Sequence, residues 1–272
     1  MVRNRPRDRQ MSEHDAAGWI EPTGLESFDD NSFDDNRALW VEQQAEMLAG
    51  RPMEDVLRWA VDSFGDGLGV MTALGYSGIV MLDHLRRFVD NLTVYFIDTG
   101  KHFEQTLALK DEIERRWPIR FEVLIPAFSD EQIESLVGPE PWRTNPDLCC
   151  HYRKVEPLLR VLHTKKAWLS ALRRDQSVSR SGLNPIEIDG RGSIKIYPLV
   201  DWTREQCWSY IREHDLPYNP LHDEGYPSIG CRPCTSPVLP GEPERAGRWN
   251  SMPKLECGIH VHAPAGVRRS EA

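Results

Sequence analysis

The stretch Leu68-Gly69-Val70-Met71-Thr72-Ala73-Leu74-Gly75-Tyr76-Ser77-Gly78 decides the fold of this chain. A short apolar run ends in a glycine loop, and apolar residues at helical spacing follow from Ile79 to Leu85. This pattern predicts a strand, a glycine loop and a helix. Exposed N–H groups at the start of such a helix attract anions, so the loop is a candidate phosphate site. It matches neither G-x-x-x-x-G-K-[ST] nor G-x-G-x-x-G, and a simple strand-to-helix turn is the alternative.

The alternation of strand and helix continues along the chain. Helical spacing predicts a helix over Phe103 to Trp117, and short apolar runs predict further strands over Leu92–Ile97, Ile119–Ile125, Ala167–Leu172 and Ile194–Leu199. Such alternation predicts an α/β fold, with a mostly parallel sheet covered by helices on both faces. Ligands of these sheets bind at the carboxyl ends of the strands. Asp98-Thr99-Gly100, at the end of the second strand, is therefore another candidate nucleotide contact or a plain turn.

The remaining segments divide the chain into three parts. Residues 1–36 are polar and show no apolar period, which predicts a disordered extension. Residues 37–235 are expected to form the α/β domain, which opens with two helices between Ala38 and Phe64, and Ser129 and Thr203 are predicted helix caps. Frequent Pro and Gly predict that residues 236–272 form an irregular, flexible tail.

Composition excludes several classes of protein. The 272 residues carry a formal net charge of −9, which argues against general nucleic-acid binding. No apolar run is long enough for a transmembrane helix, and the basic N-terminus lacks the apolar segment of a secretory signal. We therefore expect a cytoplasmic protein. Its six cysteines are too sparse for a disulfide scaffold, and their clustering favours metal binding or catalysis.

Four cysteines have the spacing of metal ligands. Cys149 and Cys150 are adjacent, and Cys231 and Cys234 form a C-x-x-C pair. Neighbouring residues hardly reach two corners of one zinc tetrahedron, whereas a [4Fe–4S] cluster offers each thiolate its own iron. The spacing thus favours a cluster over zinc, and zinc over plain buried cysteines. Cys207 lies within a predicted helix and is interpreted as a buried apolar residue.

Cys257 stands apart from these four cysteines. It is followed by Gly258 and His260 in a segment with little periodicity, so it is either a mobile nucleophile or an incidental surface cysteine. A nucleophilic thiol must ionise. The carboxylate of Glu256 would oppose ionisation, so Arg245, Arg248 or His260 would have to favour it.

Several segments together resemble the sulfonucleotide reductases, over about residues 55 to 262. The resemblance is carried by Cys149-Cys-His-Tyr-Arg-Lys-Val-Glu-Pro-Leu158, Leu172-Arg-Arg-Asp-Gln-Ser-Val-Ser-Arg180, Pro198-Leu-Val-Asp-Trp-Thr203, the run from Leu216 to Thr235, Glu244-Arg-Ala-Gly-Arg-Trp249 and Glu256-Cys-Gly-Ile-His260. Within that family, the Cys-Cys plus Cys-x-x-Cys set marks the cluster-containing assimilatory adenylylsulfate reductases. Relatives that use 3′-phosphoadenylylsulfate typically keep only the final cysteine.

The resemblance implies a fold and a reaction. The fold would be of the adenine-nucleotide α-hydrolase-like, PP-loop type, with Thr72 to Ser77 as the modified loop. Cys257 would attack the sulfur of adenosine 5′-phosphosulfate, which forms an S-sulfonate and expels AMP. Reduced thioredoxin or a similar dithiol would then release sulfite, in sulfate assimilation for cysteine biosynthesis. The cluster would stay in one redox state and tune the site through Lys154.

The resemblance also implies roles for individual residues. Cys257 would be catalytic, and the cluster ligands would be Cys149, Cys150, Cys231 and Cys234. The implied substrate-binding residues are Thr72, Gly75, Ile97, Asp98, Thr99, Lys154, Ala171, Arg180, Arg245, Arg248 and His260. Some positions depart from the family pattern. The loop lacks a usual hydroxyl and acidic pair, and Ala171, Asn250 and Leu255 replace a Gly, a Trp and a Thr.

Alternatives remain open. A reductase that accepts 3′-phosphoadenylylsulfate would be recognised by its rates on the two nucleotides. A metal-bound nucleotide-sensing protein would form no sulfonate on Cys257. An adenylating or thiolating enzyme with a related loop is disfavoured by the acidic charge. No nucleic-acid or membrane partner is expected, and a homo-oligomer is left open.

Overall fold

The fold was examined in a computed structural model that describes residues 33–249, 252 and 254–260, with side chains from residue 36 onward. The described residues from Ala38 onward belong to one compact unit. The predicted disordered extension falls almost wholly on residues 1–32, outside the described part. Among the described helices, none combines the length and apolar character needed to cross a bilayer.

The strands form a twisted α/β arrangement with one antiparallel edge. They are β1 (Leu68–Val70), β2 (Leu92–Ile97), β3 (Ile119–Leu124), β4 (Ala167–Leu169), β5 (Ile186–Ile188) and β6 (Ile194–Ile196). One sheet has the order β1-β4-β6-β5, in which β1, β4 and β6 are parallel and β5 is antiparallel to β6. The pair β2-β3 is parallel, and a bridge between Met71 and Tyr95 joins it to the end of β1. The predicted mostly parallel sheet is therefore confirmed.

The helices alternate with these strands. They are α1 (Phe33–Leu48), α2 (Met53–Phe64), α3 (Tyr76–Leu85), α4 (Glu104–Arg116), α5 (Asp130–Val137), α6 (Pro141–Thr144), α7 (Pro146–Cys150), α8 (Glu156–Leu162) and α9 (Arg204–Glu213). A π-helical segment, His151–Val155, joins α7 to α8, and short 3-10 turns occupy Gly65–Gly67, Arg174–Gln176, Val178–Arg180, Pro220–His222 and Arg232–Cys234. Capping boxes at Ser129 and Thr203 begin α5 and α9 as predicted.

The main core lies between the sheet and its helices. The first residue of β1, Leu68, pairs in register with Ala167 of β4, and Ala167 pairs with Ile194 of β6. Leu57 of α2 and Ile79 of α3 are fully buried in this core. The strands β1 and β4 are apolar throughout because each face of the sheet is covered, as is usual for parallel strands, whereas β6 has Lys195 at its centre.

Several boundaries differ from the sequence predictions. The strands β1, β4 and β6 end three or four residues early, because the chain turns into the loops of the site. Cys149 and Cys150 end an additional short helix, α7, whose N-cap Asn145 accepts a hydrogen bond from the N–H of Leu148. The helix α1 begins at Phe33 rather than at Ala38. The antiparallel strand β5 was missed because only three residues form it.

Candidate active site and cysteine-lined cavity

The glycine loop connects β1 to the N-terminus of α3, as the sequence predicted. Thr72 is buried, and its Oγ1 accepts a hydrogen bond from the N–H of Leu74 at 3.0 Å. Leu74 has a φ of 57°, in the left-handed region, which lets the chain turn sharply before α3. A Cβ on Gly78 would lie 2.2 Å from Thr72 Oγ1, so only glycine fits there.

Gly75 has a different explanation. It is the N-cap of α3, with a φ of −68°, and a Cβ added to it would meet no atom within 4 Å. Neither backbone conformation nor packing therefore requires glycine at this position. The missing side chain leaves the helix N-terminus accessible from the adjoining cleft, where exposed N–H groups favour an anion.

A fully buried arginine is hydrogen-bonded to residues that follow this loop. Arg173 donates hydrogen bonds to the hydroxyls of Ser77 and of Tyr76, the latter at 2.8 Å. Its Nη2 also lies 3.2 Å from the carboxylate of Glu244, and Tyr76 donates to the same carboxylate at 2.7 Å. Glu244 precedes Arg245 in the chain, so this network ties the C-terminal segment to the glycine loop. Sequence reasoning missed it, because nothing in the pattern distinguishes Arg173 from its neighbour Arg174.

An open cleft with a cavity volume of about 210 Å³ lies at the carboxyl ends of the strands. Residues of the glycine loop and Cys257 both line this cleft. Predicted substrate-binding residues that line the cleft are Thr72, Gly75, Ile97, Thr99, Lys154, Ala171, Arg180, Arg245, Arg248 and His260. Asp98 lies outside this wall, and its Oδ1 accepts the N–H of Gly100 at 2.9 Å instead. The cleft therefore brings together a glycine loop, several cations and one thiol.

The C-terminal segment packs against the preceding chain before Cys257. Thr235 and Arg248 form an antiparallel bridge. Trp249 is buried, and its backbone N–H donates to the carbonyl of Cys234 at 3.1 Å. A Cβ on Gly230 would lie 2.2 Å from the guanidinium of Arg248, so a larger residue there would displace the end of this side chain. The backbone thus places Arg248 in the cleft wall. The predicted flexibility of residues 236–272 stays a prediction.

Glu256 pairs with two of the predicted anion ligands. Its carboxylate accepts hydrogen bonds from Arg180 at 2.9 and 2.8 Å and from Arg245 at 3.1 Å. Burial and the nearby Arg180 charge lower the pKa of Arg245 to about 10, an effect that Glu256 opposes. In this arrangement the carboxylate next to Cys257 pairs with both guanidiniums and offsets one of their two positive charges. The sequence shows that Glu256 lies beside Cys257. It does not show that Glu256 pairs with Arg180 and Arg245.

The four other clustered cysteines line a second, smaller cavity. Cys149, Cys150, Cys231 and Cys234 are each at most 8 % exposed, and they surround it together with Lys101, Trp142, Arg153 and Lys154. Two segments that are far apart in sequence therefore meet here. The thiol of Cys231 lies 3.3 Å from the hydroxyl of Thr99, which also lines the larger cleft. The two cavities share Lys154 in their walls, and Thr99 of the cleft contacts Cys231 of the cavity.

The cysteines are surrounded by positive charge. Burial raises the pKa of Cys150 to about 12 and that of Cys234 to about 11. At Cys231 burial is outweighed by the Lys154 ammonium and the Thr99 hydroxyl, so its pKa is lowered. Burial also penalises the ammonium of Lys154, yet the sulfurs of Cys231, Cys257 and Cys150 raise its pKa.

Arg153 adds buried donors to this cavity. Its Nη1 donates to the carbonyl of Thr99 at 3.0 Å and pairs with Asp130 at 2.6 Å. Its Nε and Nη2 are buried with no protein partner among the described residues. Four soft sulfur donors beside buried cations fit an anionic, thiolate-ligated group such as an iron–sulfur cluster. In the described part of the chain, no three His, Cys, Asp or Glu side chains are grouped so as to hold a metal ion. The ligand assignment therefore stays a prediction.

The model of one protein family matches more than half of the chain. This family is described as the phosphoadenosine phosphosulfate reductase domain, and it matches residues 68–237. The chain belongs to this family. The predicted enzyme class, an oxidoreductase that acts on a sulfur group, is confirmed by this family membership.

Individual relatives carry two different names. The phosphoadenosine 5′-phosphosulfate reductase of Gloeobacter violaceus is 44% identical over 240 residues, which covers 85% of this chain and 100% of that protein. The adenosine 5′-phosphosulfate reductase of Halalkalibacterium halodurans is 43% identical over 222 residues, which covers 81% of this chain and 96% of that protein. Both kinds of reductase are therefore similar to this chain to the same degree.

Solved structures agree with the fold. The phosphoadenylyl-sulfate reductase of Candida auris, crystallised as a phosphate complex, superposes with a TM-score of 0.64 and 32% identity, covering 79% of this chain and 100% of that one. The FMN adenylyltransferase of Candida glabrata, in complex with FAD and inorganic pyrophosphate, reaches a TM-score of 0.50 at 15% identity and covers 82% and 86% of the two chains. At that identity the second likeness concerns the fold alone. The predicted fold class is confirmed.

Proposed function

We propose that this enzyme reduces adenosine 5′-phosphosulfate to sulfite and AMP, with Cys257 as the nucleophile. One observation carries the proposal. Cys257 lies in the wall of the same cleft as the accessible N-terminus of α3 and as Lys154, Arg180 and Arg245. A nucleotide phosphosulfate needs an anion cradle, cationic side chains and a thiol within one cleft, and this cleft contains all three.

In the first half-reaction the Cys257 thiolate attacks the sulfur of the bound phosphosulfate. A sulfur–sulfur bond forms, the bond between that sulfur and the bridging oxygen breaks, and AMP leaves with the electron pair. Arg and Lys side chains around the cleft neutralise the charge that develops on the phosphate oxygens. Arg180 and Arg245 are the suitable pair once the substrate has displaced the carboxylate of Glu256 from them.

In the second half-reaction a dithiol such as reduced thioredoxin supplies two electrons. Its thiolate attacks Cys257 Sγ, and sulfite leaves with the electron pair of the sulfur–sulfur bond. The second thiol then displaces Cys257 from the mixed disulfide, so the dithiol ends as a disulfide. Cys257 is half-buried, so the reductant has to reach it within the cleft. Thioredoxin is proposed because it carries both thiols that the two steps use. A reducing compartment suits this chemistry, so we propose a cytoplasmic location and a role in sulfate assimilation for cysteine synthesis.

We also propose that Cys149, Cys150, Cys231 and Cys234 hold a [4Fe–4S] cluster. The burial of all four thiols and the unpartnered donors of Arg153 support this assignment. When bound, such a cluster would supply a compact charged centre beside the cleft. Lys154 lines both cavities, so its ammonium would be held between the cysteines and the substrate. Iron and sulfide analysis after anaerobic purification tests the assignment, and zinc without iron would overturn it.

A second candidate is a reductase of 3′-phosphoadenylylsulfate, because a relative of that name is 44% identical. The two candidates differ in their substrate alone. Rates of sulfite release with reduced thioredoxin should be compared on both nucleotides over a range of concentrations. A higher kcat/KM on adenosine 5′-phosphosulfate supports the first candidate, whereas a higher value on the 3′-phosphorylated nucleotide establishes the second.

A further inference from the structure

Lys195, in the middle of β6, is a fully buried charged residue that the proposed reaction does not use. Its side chain is 0 % exposed, although burying an ammonium without a partner is costly. Its Nζ lies 3.2 Å from Nδ1 of His260, three residues after Cys257. A lysine inside an apolar strand was a visible signal in the sequence, but its partner lies 65 residues away.

Trp168 on the neighbouring strand β4 supports both side chains. The Lys195 ammonium lies 4.6 Å from the centroid of its ring, a cation–π contact. The imidazole of His260 stacks on the same indole, with centroids 6.0 Å apart and planes 8° from parallel. His260 is thus positioned by a face contact from Trp168 and by a hydrogen bond from Lys195.

The turn between β5 and β6 holds the adjacent backbone. Arg191, in this turn, donates to the carbonyl of Ile259 at 3.1 Å and to that of Gly258. The N–H of Arg191 in turn donates to Asp189 Oδ1 at 2.9 Å, which fixes the turn. The β5–β6 hairpin therefore contacts the chain beyond Cys257 twice, through its turn and through Lys195.

The contact between Lys195 and His260 has a chemical consequence. An ammonium has three donors and no acceptor, so Nδ1 of His260 must accept. The ring proton then resides on Nε2, and a second proton is disfavoured by the neighbouring positive charge. His260 lines the cleft, so a neutral ring with its proton on Nε2 can donate to an oxygen of a bound anion.

Several groups set the charge of Lys195. Burial lowers the pKa of Lys195 to about 8, while Asp189, Glu187 and the Cys257 thiolate raise it and Arg191 lowers it. The ring of Tyr197, whose hydroxyl donates to Glu187 at 2.7 Å, lies 5.7 Å from the ammonium. At neutral pH the ammonium therefore keeps its proton.

We propose that Lys195 is a positioning residue for His260, which fixes the ring as the Nε2-protonated tautomer and orients it toward an anion bound in the cleft. The identity of that anion as a sulfonucleotide rests on the proposed function. The tautomer itself does not, because it is set within the protein.

The test compares Lys195→Met, which keeps the stem but no donor, with Lys195→Arg, which keeps a donor. Nitrogen-15 NMR of histidine-labelled full-length protein, with His260 assigned through His260→Gln, reports the tautomer without nucleotide. We expect wild type and Lys195→Arg to be protonated at Nε2 at pH 7. Lys195→Met should show both tautomers and a new protonation of His260 near its ordinary pKa.

A kinetic measurement complements the NMR. In Lys195→Met, S-sulfonate formation on Cys257 should slow by about 10- to 100-fold, the usual effect of losing a hydrogen bond to a charged group. The loss should grow as pH falls and His260 becomes charged. Arg191→Gln is the matched control, since it loosens the same segment but should leave the tautomer unchanged.

Either of two results would overturn the proposal. One is a wild-type His260 protonated at Nδ1 at pH 7, which requires no variant and therefore no assumption about folding. The other is a folded Lys195→Met with the wild-type tautomer and wild-type kinetics. Failure of wild type itself to form an S-sulfonate would refute the proposed function, while the NMR result would still stand.

Discussion

Two thiol-bearing regions of this chain are held in opposite ways. Cys149, Cys150, Cys231 and Cys234 are buried around a small cavity, beside Arg153, two of whose donor nitrogens have no partner among the described residues. Cys257 is half-buried in an open cleft, and ion pairs and hydrogen bonds hold the residues on either side of it. The first arrangement suits a permanent anionic occupant. The second arrangement suits a thiol that moves toward a bound substrate and away from it.

The difference follows from the cost of breaking each set of contacts. Removing an occupant from the cysteine cavity would leave buried guanidinium donors unpaired, which is expensive. The ion pairs of Glu256 line the cleft, where the anionic groups of a substrate can replace its carboxylate as the partner of Arg180 and Arg245. The cysteine cavity is therefore expected to keep its contacts when substrate binds. The segment held by the ion pairs of Glu256 is expected to change its contacts.

The largest effect is expected from Cys257→Ser. Sulfite formation should fall by at least about 1000-fold, because a hydroxyl is a far poorer nucleophile than a thiolate. Iron content should remain that of wild type, since Cys257 is not among the four cysteines of the buried cavity. Cys207→Ala is the matched control, because Cys207 is fully buried in the main core, and it should keep most activity. An active Cys257→Ser enzyme would remove the distinction between the two regions.

The next effect concerns the buried cavity. In Cys231→Ser one of four soft donors is lost, so bound iron should fall well below the wild-type content, and the melting temperature should decrease. Activity should fall by about 10- to 100-fold, as is usual when ligand or supporting groups of a metal site are removed. Iron analysis and thermal unfolding check this. Cys257→Ser, measured alongside, separates loss of the cluster from loss of the nucleophile.

If Cys231→Ser keeps a full complement of iron and a wild-type melting temperature, the cysteine cavity is not the cluster site. In that case the cations around it need another explanation.

A smaller effect is expected from Glu256→Gln. The variant leaves Arg180 and Arg245 without a carboxylate partner, so a nucleotide no longer competes with Glu256 for them. The dissociation constant of adenosine 5′-phosphosulfate, measured in Cys257→Ser to prevent turnover, should fall about three- to tenfold. Glu224→Gln removes an exposed charge elsewhere and serves as the control. Unchanged or weaker binding in Glu256→Gln would show that this ion pair does not compete with substrate.

The smallest effect is that of salt. Raising ionic strength from about 0.05 M to about 0.5 M should screen the ion pairs of Glu256 and speed alkylation of Cys257 by a few-fold, without nucleotide present. Iron content should not change over the same range. A salt-independent alkylation rate would mean that packing rather than charge holds the segment beside Cys257. Peptide mass spectrometry with iodoacetamide measures both thiol regions in one sample.

Local sequence patterns were sufficient for most of the fold. Apolar runs and glycine turns gave β2 and β3 nearly to the residue, and the capping boxes at Ser129 and Thr203 marked two helix starts. These signals are local, so the sequence contains them directly. The edge strand β5 could not be found in this way, because its three residues pair antiparallel with β6 through tertiary contacts.

The site was predictable only for residues with a recognisable motif or chemical type. The cysteines and the glycine loop were identified, and the structure places each set around one cavity. The buried ion pair of Arg173 with Glu244 and the hydrogen bond of Lys195 with His260 were not predicted. Their members are 71 and 65 residues apart in sequence, and only the folded chain brings them together.

The most direct test of the central claim is the mass of the anaerobically purified protein after mixing with adenosine 5′-phosphosulfate without reductant. We predict one added SO₃ group per chain, located on Cys257 by peptide mapping, together with one equivalent of AMP. Reduced thioredoxin added afterwards should remove the group and release sulfite. Bound nucleotide without an adduct on Cys257, or an adduct on another cysteine, would contradict the account.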